Sequence, residues 1–145
     1  MQVTDIHIDI KYEPGSIANC KEIMCCRADS IPRDSNKNIA AGFWGSSNKC
    51  DVPIWLVENM FQNIADNEEV RISFINNHFS FLTFSISKFD IIFWTGDISA
   101  HNIWNNTKED AIYEINTLSR LFKKYFPDKI VYSTLGNHDL SPTDL

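Results

Sequence analysis

A chain of 145 residues is long enough for one domain with a buried core, and 43% hydrophobic with 12% aromatic residues excludes disorder as its resting state. The formal net charge of -6 argues against a binder of nucleic-acid backbones, which needs clustered Lys and Arg. The nearest approach to a basic stripe, Arg120, Lys123 and Lys124, reads as the solvated face of one helix, so no nucleic-acid-binding surface is expected.

Residues 1–4 read as the end of a strand, followed by Asp5-Ile6-His7-Ile8-Asp9, in which acids and a His alternate with Ile. Residues 12–50 are rich in Pro, Gly, Ser, Asn and Cys and predict a long surface excursion. All four cysteines, Cys20, Cys25, Cys26 and Cys50, fall in or at the end of that stretch. An adjacent Cys pair flanked by one Cys on each side suggests two disulfides closing short loops. The alternative is a zinc site, which neighbouring cysteines fit poorly and which lacks a CxxC spacing here. A helix then follows. Asp51 is its expected cap, Pro53 sits in its first turn, and Ile54, Val57, Phe61 and Ile64 share one face before residues 67–69 end it.

Residues 72–87 differ in composition, with four Phe, three Ile and no charge, and their partial alternation suits a hairpin. Residues 89–95 (FDIIFWT) read as a buried-type strand that stops at Gly96-Asp97. Thr107 caps a second helix with Ile112, Ile115, Leu118 and Phe122 on its inner face and Pro127 beyond its end. Residues 130–135 (IVYSTL) form another strand, stopping at Gly136-Asn137-His138-Asp139. Strand, helix, strand in this order is a βαβ unit, which implies an α/β fold with a parallel sheet.

Three polar clusters each follow an apolar strand: Asp5/His7, Gly96-Asp97 and Gly136-Asn137-His138. Taken singly, each has a bland reading as a surface triplet or a turn. In an open parallel sheet, however, strand carboxyl ends line the ligand crevice, so the three clusters are expected to converge. Asp, His and Asn are ligands for borderline divalent metals, and Gly lets the chain turn sharply at a strand tip.

D-x-H, G-D and G-N-H-[DE] in that order resemble the calcineurin-like metallophosphoesterase superfamily. Asp5-Ile6-His7-Ile8-Asp9, Cys25-Cys26-Arg27, Trp44-Gly45, Lys49-Cys50-Asp51 and the run from Trp94 through Gly96-Asp97 to Ala100-His101 narrow the resemblance. They are similar to acid sphingomyelinase and the acid sphingomyelinase-like phosphodiesterases, over nearly the whole chain. The resemblance implies the N-terminal half of an αββα sandwich and a dinuclear zinc site hydrolysing phosphodiesters. Asp5 and His7 would hold one ion and Asn137 the other, with Asp97 bridging both. His138 and His101 would stabilise the phosphoryl group and protonate the leaving oxygen. The implied disulfides are Cys20 with Cys25 and Cys26 with Cys50. The implied substrate is sphingomyelin or another phosphodiester, including nucleotides, with peripheral membrane contact by the intact protein. Asp139 stands where the family has either acid and is read as non-catalytic; Asp9 is read as a supporting or merely polar residue. The four tryptophans, Trp44, Trp55, Trp94 and Trp104, have two readings, an apolar or lipid-facing rim and core packing, and core packing is expected for at least Trp94.

Two departures from the pattern shape the remaining expectations. The histidine ligands of the family's second half, including a Gly-His-x-His motif, have no counterpart before Leu145, so the chain alone is expected to have little activity. An inactive fragment or a disulfide-stapled binding module is the alternative. Residues 70–87 have no counterpart in the pattern and read as a neutral insertion or translated intron sequence, with a lipid-contacting loop as the alternative; His78 inside them is not read as a ligand. The disulfides and the sequon Asn105-Asn106-Thr107 imply an extracellular or lysosomal glycoprotein. No signal peptide precedes them and no stretch suits a membrane span, which points to a missing N-terminus.

Overall fold

The computed structural model describes residues 1–34, 38–67, 69–75 and 81–140, with the side chains of 69–75 and 81–87 outside that description. Its central feature is a parallel sheet of strand order β1-β4-β5, formed by β1 (Gln2–Val3), β4 (Ile91–Trp94) and β5 (Ile130–Ser133). Gln2 and Val3 pair with Phe93 and Trp94, and Ile91 to Trp94 pair in step with Ile130 to Ser133. The crossover from β4 to β5 is the helix α2 (Lys108–Tyr125), which makes the expected βαβ unit.

Both helices cover the same face of the sheet. Helix α1 (Ile54–Asp66) buries Val57 and Phe61 on the predicted stripe, with Ile54 and Ile64 partly buried beside them. Phe61 meets Phe122 of α2 at 4.9 Å between ring centroids, and Trp94 meets Phe122 at 5.7 Å. Val3, Ile92, Leu118, Leu121 and Phe126 complete this core.

Three of the four predicted inner residues of α2 hold, Leu118 and Phe122 in the core and Ile115 packed against it, but the first turns differ. Ala111, Glu114, Leu118, Leu121 and Phe122 are buried, whereas Ile112 is 48% exposed. The first turns of the buried face carry a small and an acidic residue, so apolar periodicity alone selects the wrong register there. The cap itself is as expected: Thr107 and Asp110 form a reciprocal capping box. Strand β4 also differs from a strand buried on both faces. Ile92 and Trp94 point into the core, while Ile91 and Phe93 are exposed and Phe93 stacks on Tyr132 at 5.9 Å. One sheet with one helical layer is half of the expected sandwich.

Residues 12–50 form the stapled excursion. Cys20 is bonded to Cys25 and Cys26 to Cys50. Tyr12, Ala18, Cys26 and Ala41 make a small core of their own, packed against Trp55. Strands β2 (Glu69–Ile75) and β3 (Phe81–Ser87) pair antiparallel as a separate two-stranded sheet, which is the hairpin reading of that segment. His78 lies outside the described residues. Among the described residues no helix is long and apolar enough to cross a membrane.

Candidate metal and phosphate site

Beyond β1 the chain leaves the regular ladder yet keeps bonding the segment after β4. Asp5 donates its N–H to Gly96 O at 3.2 Å, His7 to Asp97 O at 3.1 Å and Ile8 to Ile98 O at 2.7 Å. These bonds carry two strand ends side by side and bring Asp5, His7 and Asp97 together. One ligand atom from each lies within 4.8 Å of the others, with Asp5 exposed and the other two half-buried. All three residues have left-handed backbone, with φ of 52°, 45° and 55°. Non-glycine residues in this region store about 1–3 kcal/mol each, and such strain collects at sites where side-chain aim matters.

The third strand end closes on the same spot. Gly96, with φ of 90°, lies so near Gly136 that a Cβ on Gly96 would fall on the Gly136 backbone, and a Cβ on Gly136 would fall on Asp97. Only glycine lets the two tips meet. Asp97 Oδ1 then accepts the His138 N–H at 3.0 Å, so one carboxylate oxygen organises the third tip. Asn137 is exposed at the start of the 3-10 turn Asn137–Asp139 that carries His138.

Three imidazoles meet over this cluster. His7 lies 3.9 Å from His101 and 4.9 Å from His138 between ring centroids, and His101 lies 5.0 Å from His138. His7 Nδ1 is 2.8 Å from the Ser99 carbonyl, which can only accept, so Nδ1 carries the proton and the Nε2 lone pair is free to bind a cation. His101 is fixed by Asp51, whose carboxylate accepts its backbone N–H at 2.7 Å and its Nδ1–H at 2.8 Å. This corrects the expected cap. Helix α1 begins at Ile54 with Pro53 as its N-cap and no side-chain cap, and Asp51 serves His101 instead. His138 Nδ1 is buried without a hydrogen-bond partner.

Asp139, read from sequence as an interchangeable acid, is the clamp of the site. It is 5% exposed, and its carboxylate accepts the N–H groups of Asp97, Ile98, Ser99 and Gly136 at 2.7 to 3.2 Å. Asp9 plays a comparable part on the other flank. Its buried carboxylate takes Arg27 Nε and Nη2 at 2.8 and 3.0 Å, tying the first ligand turn to the stapled loop beside Cys26. Acid at the fourth place of G-N-H-[DE] was the available signal for Asp139; none distinguished Asp51 from an ordinary helix cap.

The sequence pattern of the calcineurin-like phosphoesterase family matches residues 1–145. The chain belongs to that family. Among curated proteins, it is 32% identical over 142 residues to a sphingomyelin phosphodiesterase of Bos taurus, covering 98% of this chain and 20% of that protein. It is 33% identical over 144 residues to sphingomyelin phosphodiesterase 1 of Caenorhabditis elegans, covering 99% of this chain and 22% of that protein. Sphingomyelin phosphodiesterase B of Dictyostelium discoideum is 36% identical over 145 residues, covering 99% of this chain and 20% of that protein. The chain thus spans about a fifth of the length of these relatives. In this calcineurin-like phosphoesterase, two carboxylates and an imidazole with a free Nε2 lone pair are a donor set suited to a divalent metal.

Proposed function

We propose that this chain is the first part of a phosphodiesterase catalytic domain that cleaves sphingomyelin to ceramide and phosphocholine with two zinc ions. The carrying observation is the convergence of Asp5, His7 and Asp97, with the imidazoles of His101 and His138 against that of His7. Asp5 and His7 would hold one ion, Asn137 the other, and Asp97 would bridge. When bound, the ions supply Lewis-acid stabilisation of the charge that develops on the phosphate oxygens. The chain's own residues do the rest. Gly96 and Gly136 allow the tips to touch, Asp139 fixes the Asp97 turn, and Asp51 holds His101 through Nδ1, which leaves Nε2 as the nitrogen that would donate a proton to the leaving oxygen. His138 is the second imidazole available to the phosphoryl group.

Several other features support the wider reading. Two disulfides suit an extracellular or lysosomal setting. Asn105 lies exposed in the turn Ile103–Asn105, open to glycosylation. Phe43, Trp44 and Trp104 are each more than half exposed and suit contact with a lipid surface. Residues 12–50 serve as a stapled loop of one domain and 70–87 as an insertion in it.

Zinc retained after exhaustive dialysis, measured by mass spectrometry on the purified chain and on Asp97→Ala, tests the site. Zinc held by the wild type and lost in the variant is expected. Equal zinc in both would overturn the assignment. Hydrolysis of sphingomyelin beside a nucleotide diester, by the chain within its longer protein, tests the substrate.

A further inference from the structure

The turn that carries His7 is tied to the stapled loop as well as to the sheet. Ile8, fully buried, bridges both Val52 and Ser99. Val52 donates its N–H to His7 O at 3.2 Å and accepts the Asp9 N–H at 2.9 Å. The Asp9 side chain is 1% exposed, and its carboxylate takes Arg27 Nε at 2.8 Å, Arg27 Nη2 at 3.0 Å and the Lys11 N–H at 2.9 Å. Arg27 belongs to the loop, whose own bonds fix its backbone. Cys26 O accepts the Glu13 N–H at 2.8 Å, the Cys26 N–H donates to Ile17 O at 2.9 Å, and Ser30 Oγ accepts the Arg27 N–H at 3.1 Å. A buried ion pair of this kind adds little net stability over apolar residues of similar volume, because desolvation offsets the attraction. What it fixes is geometry. A guanidinium fork meets a carboxylate through two nitrogens in one orientation, which a lysine cannot reproduce.

We propose that Arg27 and Asp9 are positioning residues of the metal site, a pair through which the stapled loop sets the turn carrying His7. Asp9 stands two residues beyond His7, so a shift of its carboxylate passes along a short backbone that His7 holds at a φ of 45°. His7 Nδ1 has to stay by Ser99 O, 2.8 Å away, for Nε2 to keep its aim. Releasing Asp9 from Arg27 frees that backbone to move and leaves Ser99 O to hold the ring alone. The role toward zinc rests on the metal-site reading; the restraint on the turn does not.

The test combines Asp9→Leu with Arg27→Met in one chain, so that no buried charge is left alone, and adds Arg27→Lys, which keeps the charge and loses the two-point grip. Thermal unfolding, amide hydrogen exchange of the metal-free chain and zinc affinity by chelator competition are read on each. The double variant should melt within about 3 °C of wild type. Its His7 and Ile8 amides, bonded to Asp97 O and Ile98 O, should nevertheless exchange about tenfold faster while the amides of α2 keep their rates. Zinc affinity should fall about tenfold. Arg27→Lys should show the same two changes in smaller measure, and it carries the test should the double variant misfold. A merely structural pair would move all amides together with Tm. Wild-type exchange at His7 and Ile8 in a folded variant overturns the proposal. A wild-type chain that holds no zinc, with the His7 and Ile8 amides opening in the variants, sinks the metal-site reading and leaves the pair standing.

Discussion

Asp5, His7 and Asp97 are recognisable as candidate ligands by residue type, but their left-handed backbone is visible only in the fold. Asp and Asn tolerate that region better than most residues, and here the inter-tip hydrogen bonds hold it. Asp139 restrains the Asp97 turn among them, because one carboxylate satisfies four N–H groups there. Asp139→Asn replaces an acceptor by an NH2 that faces donors. We expect a loss of about 2–3 kcal/mol in urea unfolding, with weakened zinc retention. A variant with wild-type midpoint and zinc content would show that the clamp is dispensable. The sequence offered only an acid at that position, since three of its four partners lie 40 to 42 residues upstream.

The elements follow from local pattern with two instructive exceptions. Helix α1 presents the predicted stripe because Val57 and Phe61 meet the apolar side of the sheet and α2. Helix α2 departs from its stripe in its first half, where Ala111 and Glu114 are buried and Ile112 is exposed. Its start is set by Thr107, whose hydroxyl accepts the Asp110 N–H at 3.1 Å while Asp110 receives the Thr107 N–H at 3.1 Å. Thr107→Ala should cost about 1 kcal/mol, read as a lower Tm, and Thr107→Ser should restore it. Equal stability of the Ala variant would place the helix start under tertiary control instead. Strand β4 shows the other exception, for a run of apolar residues does not reveal whether both faces of a strand are covered.

At the scale of the molecule, the stapled loop and the sheet are joined at the site. Arg27, next to Cys26, holds Asp9, and Asp51, next to Cys50, holds His101. The Cys26–Cys50 bond thus fixes the separation of two supports for different imidazole-bearing turns. Removing it with Cys26→Ser and Cys50→Ser together opens a 24-residue span, for which chain entropy gives about 3 kcal/mol of destabilisation. Chemical denaturation measures that loss. The same double variant should lower zinc retention at temperatures where it remains folded, and full retention would show that the loop does not support the site.

The sequence by itself determined the α/β class, the family, the order of the ligand clusters at strand ends and a stretch built for disulfides. These are local properties: periodicity, residue type and spacing within a few positions. Only the tertiary structure decided that Asp51 orients His101 rather than capping a helix, that Asp139 clamps two strand tips, and that Glu114 of α2 is buried. Each of those roles depends on a partner from another element, and the Asp51–His101 contact spans 50 residues. A carboxylate can cap, coordinate, pair or brace with the same two oxygens, and burial with its specific partners, which local pattern does not encode, selects among these roles.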